Sequence, residues 1–302
     1  MANENAPKQK NSNVDVSAAM FEFVAMMLFV YVGCGSAVSN TFKAGSAVDG
    51  GNDPAWVCIV ALQFGLAITT LAYASRGGQI NCAVTLGLVL GGTLDVVQGI
   101  VNVVAQLLGS VIGAALLLLT VAPGDAIVDE LNDRDFTGGL GSNGINGRYN
   151  VGNALVGEIM MTALLVLVVY ETAVSKKSIA SANAPIAIGF AVFLAHVVLI
   201  NIDGCSINPT RSFGPAVVAS INGNVNVWNN HWVFWVGPLI GASIVGLTRG
   251  RMIMVENEIV EYVDSRRGAT IKGGSSSIDG SSNTPRSAST GSDADDVIND
   301  QV

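Results

Sequence analysis

The 302-residue sequence predicts an all-α membrane protein of six transmembrane helices and two re-entrant half-helices arranged as two inverted repeats. Half of its residues are hydrophobic and only 13% are charged, against roughly 25% charged in soluble domains. Six apolar runs are long enough to cross a bilayer, and two shorter apolar stretches occupy matching places in the two halves of the chain. A mean hydropathy of +0.50 agrees. A soluble reading is disfavoured, because six such helices in one chain would leave no charged face to meet water.

A bilayer core about 30 Å thick needs about 20 mainly apolar residues of helix. The runs 17–39, 55–75, 94–121, 152–173, 183–202 and 231–248 meet that need. The first sixteen residues are polar (Asn3, Glu4, Asn5, Lys8, Lys10, Asn11, Asp15) and lack the apolar core of a cleavable signal peptide, so the first run reads as a retained span. Stretches 81–91 and 208–220 are too short to span and read as re-entrant. Each lies between the second and third span of its half.

Orientation follows from Lys and Arg near the span ends. With the N-terminus inside, the cytoplasmic side holds Lys8, Lys10, Arg76, Lys176, Lys177, Arg249 and Arg251, and the outer loops hold Lys43, Arg134 and Arg148. Both termini are therefore expected to be cytoplasmic. A repeat of three spans must insert its second copy upside down, so the repeats are inverted. The expected organisation is an N-terminal tail 1–16, a membrane domain 17–253 (repeat one about 17–121, repeat two about 152–253) and an acidic, Ser/Gly-rich tail 254–302 expected to be disordered. The outer loop 122–150, with Asp125, Asp129, Glu130, Asp133 and Asp135 before a GGLGSNG stretch, reads as a solvated connector.

Charge and cysteine usage exclude other classes. Residues 254–302 hold nine acids and four bases, so the tail carries −5 of the net −8. No basic surplus remains for nucleic acid. Cys34, Cys58, Cys82 and Cys205 lie in or beside apolar segments instead of forming a disulfide framework.

The short stretches carry the chemistry. Gln79-Ile80-Asn81-Cys82-Ala83-Val84-Thr85-Leu86-Gly87 aligns with Ser206-Ile207-Asn208-Pro209-Thr210-Arg211-Ser212-Phe213-Gly214: both contain Ile-Asn, with Gly six places after the Asn. Asn is a favoured helix N-cap and Pro is favoured at the first helical position, so Asn208-Pro209 reads as a helix start. Two such half-helices entering from opposite faces meet at the bilayer midplane. There, two positive dipole ends and two Asn amide donors would converge. Arg211 lies in a membrane segment, where an arginine must line an aqueous path or find partners. Glu22 and Glu158 occupy equivalent places in spans one and four, and buried carboxylates need hydrogen-bond partners.

INPTRSFGPAVV, preceded by Gly204-Cys205-Ser206, with APIAIGFAVFLAH upstream and HWVFWVGPLIGA downstream, resembles the second half of an aquaporin of the major intrinsic protein family. Glu22, the FGLAITTLA run from Phe64 and Asn81-Cys82-Ala83-Val84-Thr85 resemble the first half. The resemblance covers roughly 17–252. It implies a selectivity filter of Phe64, His196, Cys205 and Arg211, the combination seen in water-selective members, and a pore midplane capped by Asn81 and Asn208. It assigns Glu22 and Glu158 to holding the loops that lead into the half-helices, in competition with a proton relay. It also implies a homotetramer with one pore per subunit and no cofactor. Two positions depart from the usual Asn-Pro-Ala triplets: Cys82 stands where the first has Pro, and Thr210 stands where the second has Ala. Cys205, three residues before Asn208, is expected to be a pore-mouth thiol and a mercurial target; no resident metal is expected.

The function expected is passive conduction of water in a lipid bilayer, with exclusion of protons and ions. A broader facilitator of glycerol, hydrogen peroxide or ammonia is the alternative. An ion-coupled transporter would need an acid at the helix break, and neither half-helix contains one. An intramembrane hydrolase built on His196 with Ser206 or Ser212 lacks an activating base and orienting acid at helical spacing, so no enzymatic activity is expected. The plasma membrane is the expected location, with an intracellular vacuolar membrane as the alternative.

Overall fold

A computed structural model describes residues 14–41, 53–75, 77–122 and 137–275. In repeat one, α1 (Val16–Thr41), α2 (Pro54–Ala74) and α4 (Val96–Val121) enclose the short α3 (Cys82–Gly91). Repeat two repeats the order with α5 (Val151–Val169), α6 (Ala184–Asp203), the short α7 (Pro209–Ile221) and α8 (Val233–Val245). Five-residue π-helical turns extend α5 (Tyr170–Val174) and join α8 to α9 (Gly246–Gly250, then Arg251–Ser275). Six helical stretches are long and apolar enough to span a membrane, and Cys82–Gly91 is apolar but short. No strand occurs among the described residues.

Local chemistry sets the helix starts. Asp53 accepts from Ala55 N–H (2.7 Å) ahead of Pro54, Asp95 accepts from Val97 N–H (2.9 Å), and Asn150 and Asn153 form a reciprocal capping box on α5. The half-helix α3 stops at Gly92, whose φ of 85° is open to glycine at little cost. Side chains such as Ile100, Val104, Leu108 and Ile112, one turn apart along α4, face outward in a row. In water that row would be an exposed apolar stripe; against lipid tails it is the favourable surface.

The packing repeats with the sequence. Helix α1 lies along α4, α5 along α8, and α2 crosses α6 at the junction of the repeats. Close approach is set by Gly109 and Gly113 on α4, where an added Cβ would strike the backbone of Phe23 and Met27, and by Gly237 and Gly241 on α8, where it would strike Glu158 and the backbone of Ile159. Gly113→Val should therefore separate α1 from α4. Backbone atoms cannot move aside like a flexible side chain, so a loss of at least about 2 kcal/mol is expected. Melting of the purified protein in detergent measures it, and an unchanged midpoint would refute the close crossing.

Two expectations are corrected. The 254–302 tail is not structureless throughout, because α9 continues to Ser275. Met252–Arg267 contains neither Gly nor Pro, Ile253 is fully buried, and Asn257 accepts from Lys176 N–H (2.8 Å) and donates to Val174 O (3.0 Å). Arg249 adds ion pairs to Glu171 (2.5 Å) and Glu256 (2.7 Å). The chain divides into two compact units at Ile259/Val260, and the second holds the end of α9, where Arg266 lies over the Tyr262 ring. The second correction concerns the outer loop. Thr137, Leu140 and Asn143 are buried rather than solvated, because glycines 138, 139 and 141 take positive φ and fold the chain back. The acids Asp125 to Asp135, the cations Lys8, Lys10, Lys43, Arg76 and Arg134, and the tail beyond Ser275 lie outside the described residues.

Candidate channel and its two constrictions

The two half-helices meet at their N-termini. Asn81 caps α3 by accepting from Ala83 N–H (2.8 Å) and Val84 N–H (3.4 Å), and Asn208 caps α7 by accepting from Arg211 N–H (3.2 Å). Each Asn then reaches across to the other repeat: Asn81 Nδ2 donates to Ile207 O (2.8 Å) and Asn208 Nδ2 to Ile80 O (2.7 Å). With Oδ1 committed to the helix, Nδ2 is the free end, and an NH₂ has a second proton to offer. The two Asn residues singled out by the sequence are thus brought together, with Cys82, Ala83, Pro209 and Thr210 in the first turns of the two helices.

The loops that deliver these caps are strained and anchored. Ile80 and Ile207 sit at φ of 53° and 43°, a region that a β-branched residue rarely occupies. Glu22 holds one loop by accepting from Gln79 N–H (2.5 Å) and Ile80 N–H (2.8 Å). Glu158 holds the other by accepting from Ser206 N–H (2.7 Å) and Ile207 N–H (2.6 Å). Both acids are buried. In a bilayer no water can satisfy such peptide groups, so the carboxylates complete the turn.

Sequence reasoning missed a supporting rail of amides. Gln98 Nε2 donates to Asn102 Oδ1 (2.7 Å), Asn102 Nδ2 to Gln79 Oε1 (2.7 Å), and Gln106 Nε2 to Glu22 Oε2 (2.9 Å) and Thr85 Oγ1 (3.2 Å). Ser110 Oγ continues the row and accepts from Gly214 N–H (3.1 Å). Their spacing of four residues on one apolar span was the signal.

The second constriction brings together Phe64, His196 and Arg211. The Phe64 and His196 rings stack with centroids 4.3 Å apart, and the Arg211 guanidinium lies 4.8 Å from the Phe64 centroid. All three are buried. Arg211 Nη1 donates to Gly141 O (2.8 Å) and Asn143 Oδ1 (2.9 Å), so the refolded outer loop positions this side chain. Asn143 Oδ1 also accepts from Ser212 Oγ (2.8 Å). His196 Nδ1 lies 2.8 Å from Val192 O; a carbonyl only accepts, so Nδ1 carries the proton and Nε2 of the neutral ring is an acceptor. His196 Nε2 and Arg211 Nε are buried with no protein partner among the described residues.

Two cavities flank this stack. One, of about 530 Å³, is lined by Tyr73, Ile80, Asn81, His196, Ile207 and Asn208. The other, of about 250 Å³, is lined by Phe64, Gly141, Ser142, Gly204 and Arg211 among others. Phe64 borders one and His196 the other, so the stack stands between them. Cys205 is fully buried and is not among the residues that line either of these two cavities. Gly204 and Cys205 are both left-handed (φ 81° and 55°), and Asp203 Oδ1 accepts from Cys205 N–H (3.0 Å), so the chain reverses there and side-chain direction does not follow from counting back from Asn208.

Six spans and two half-helices meeting at Asn caps, with a cavity on either side of the ring stack, define a polytopic membrane protein. The sequence profile described as Major intrinsic protein matches residues 9–248. Aquaporin-4 of Rattus norvegicus is 35% identical over 235 residues, covering 76% of this chain and 65% of that protein, and Probable aquaporin TIP1-2 of Oryza sativa subsp. japonica is 39% identical over 246 residues, covering 80% and 88%. The X-ray structure of the aquaglyceroporin from Plasmodium falciparum superposes with a TM-score of 0.64 at 18% identity, over 81% of this chain and 99% of that one, and shares the fold. The chain belongs to the major intrinsic protein family and is an integral membrane protein, and it spans about 65% of the length of the aquaporin-4 relative it matches.

Proposed function

We propose that the protein conducts water passively in single file and excludes glycerol, ions and protons. The carrying observation is the filter. A ring stack at 4.3 Å with a guanidinium at 4.8 Å crowds the region between the two cavities, and two buried atoms beside it have no partner among the described residues, the donor Arg211 Nε and the acceptor His196 Nε2. Water can accept from the first and donate to the second, whereas a polyol must also place its carbon chain against both rings. At the midplane, Asn81 and Asn208 present donors backed by two positive helix ends, which favour a water oxygen and repel a cation. The relatives carrying the name aquaporin support the same reading. We further propose cytoplasmic termini, a plasma-membrane location and a homotetramer with one pore per subunit.

Stopped-flow light scattering on proteoliposomes tests the reading. Fast osmotic shrinkage with slow glycerol uptake is expected. Equal permeability to both would replace it with a broad facilitator.

A further inference from the structure

Two departures from the family triplets, Cys82 and Thr210, touch each other. The first N–H groups of any helix lack intrahelical partners, and proline at the first position removes one of them. Helix α7 uses that solution at Pro209, but α3 begins with Cys82, which restores a buried N–H. That N–H points to Thr210 Oγ1 at 3.4 Å. The same hydroxyl donates to Asn208 Oδ1 at 2.7 Å. Its single proton serves either that contact or Gln106 Oε1, 3.4 Å away, and the shorter contact takes it, which leaves a lone pair to accept from the Cys82 N–H.

The repeat symmetry sharpens the pairing. The reciprocal bonds Asn81–Ile207 and Asn208–Ile80 relate the two half-helices by a pseudo-two-fold axis. Under it, the counterpart of Cys82 facing Thr210 is Pro209 facing Ala83. Where the first helical residue has an N–H, the opposing second residue has a hydroxyl; where the first has none, the second has none.

We propose that Thr210 is a positioning residue of the channel midplane: its hydroxyl satisfies the Cys82 N–H across the repeat interface and pins Asn208 Oδ1, so that the Asn208 amide keeps its donor end toward the pore. The second half deepens the proposed function and rests on it; the first does not. With the hydroxyl lost, the Asn208 amide is held by two bonds instead of three, Oδ1 from the Arg211 N–H and Nδ2 to Ile80 O, so it turns its acceptor toward the water file more often, where it would welcome a cation.

The experiment is a double-mutant cycle on the full-length protein with two readouts: melting in detergent, and dye-reported proton leak in phosphatidylcholine vesicles beside water flux. Thr210→Val keeps the bulk and removes the hydroxyl. It should lower the melting midpoint by several degrees and raise proton leak severalfold at little change in water flux, while Thr210→Ser stays native-like. Cys82→Pro alone should be nearly neutral, and in the Thr210→Val background it should recover most of the lost midpoint without correcting the leak. If Thr210→Val does not assemble, its rescue by Cys82→Pro carries the same conclusion. Equal stability losses in both backgrounds would overturn the pairing. A native-level leak in a folded Thr210→Val protein would overturn the role at Asn208. Absence of water flux in the native protein would instead count against the proposed function, leaving the stability cycle intact.

Discussion

Arg211→Val should make the proposed water-selective pore admit glycerol and leak cations. The guanidinium contributes a fixed positive charge and two bonds to Gly141 O and Asn143 Oδ1, and it stands over Phe64 at one wall of the filter. Valine removes the charge, widens the passage by the volume of the lost side chain and frees the outer loop. An ion barrier that loses a few kcal/mol of repulsion passes ions at least about tenfold faster, since each 1.4 kcal/mol is tenfold. His196→Ala should raise glycerol uptake by a comparable factor with less ion leak, because the imidazole fills space and presents an acceptor but no fixed charge. Parallel osmotic, glycerol and pH-gradient measurements in vesicles separate the two effects. Unchanged glycerol exclusion in both variants would place selectivity somewhere other than this stack.

Glu158→Leu should be among the most destabilising single substitutions in the protein. It leaves the Ser206 and Ile207 N–H groups unpaired beside Ile207, whose φ of 43° needs external support. Each unmade buried donor costs about 1–3 kcal/mol, so the sum of about 2–6 kcal/mol is a large share of the 5–15 kcal/mol that stabilises a typical protein. A fall of roughly 10 °C in the melting midpoint is expected, with water flux lost before unfolding. Glu22→Leu should behave alike, with the added release of Gln106. Glu158→Gln distinguishes anchoring from proton relay. An amide keeps one acceptor but opposes a donor to the second N–H, so it should cost an intermediate amount of stability. A Gln variant of native stability whose flux had lost only a pH response would favour the relay.

The spans were legible because a bilayer demands a length and a composition that few other environments permit. The six runs agree with the helices to within a few residues, and the two Asn signatures mark the starts of α3 and α7. Phe64, His196 and Arg211, far apart in sequence, were joined by resemblance alone, and the fold brings them together. The amide rail on α4 was written in the sequence as Gln98, Asn102, Gln106 and Ser110, yet its meaning depends on Gln79 and Glu22 standing opposite. The burial of Leu140 and Asn143 was hidden because polar, glycine-rich chain normally marks solvent.

The sequence by itself determined the solvent of this protein, the number of its spans, the inverted repetition and the pair of Asn caps, since hydropathy, length and capping are local properties readable along one chain. Only the tertiary structure decided which groups satisfy which. It matched the Cys82 N–H to the Thr210 hydroxyl, Arg211 to a refolded outer loop, and two carboxylates to two strained isoleucine turns, and it withdrew Cys205 from the cavity walls. Hydrogen bonds in a water-free interior are settled between partners 48 to 128 residues apart, as the Ser206–Glu158 and Asn208–Ile80 contacts are, and their choice depends on distance and direction in space.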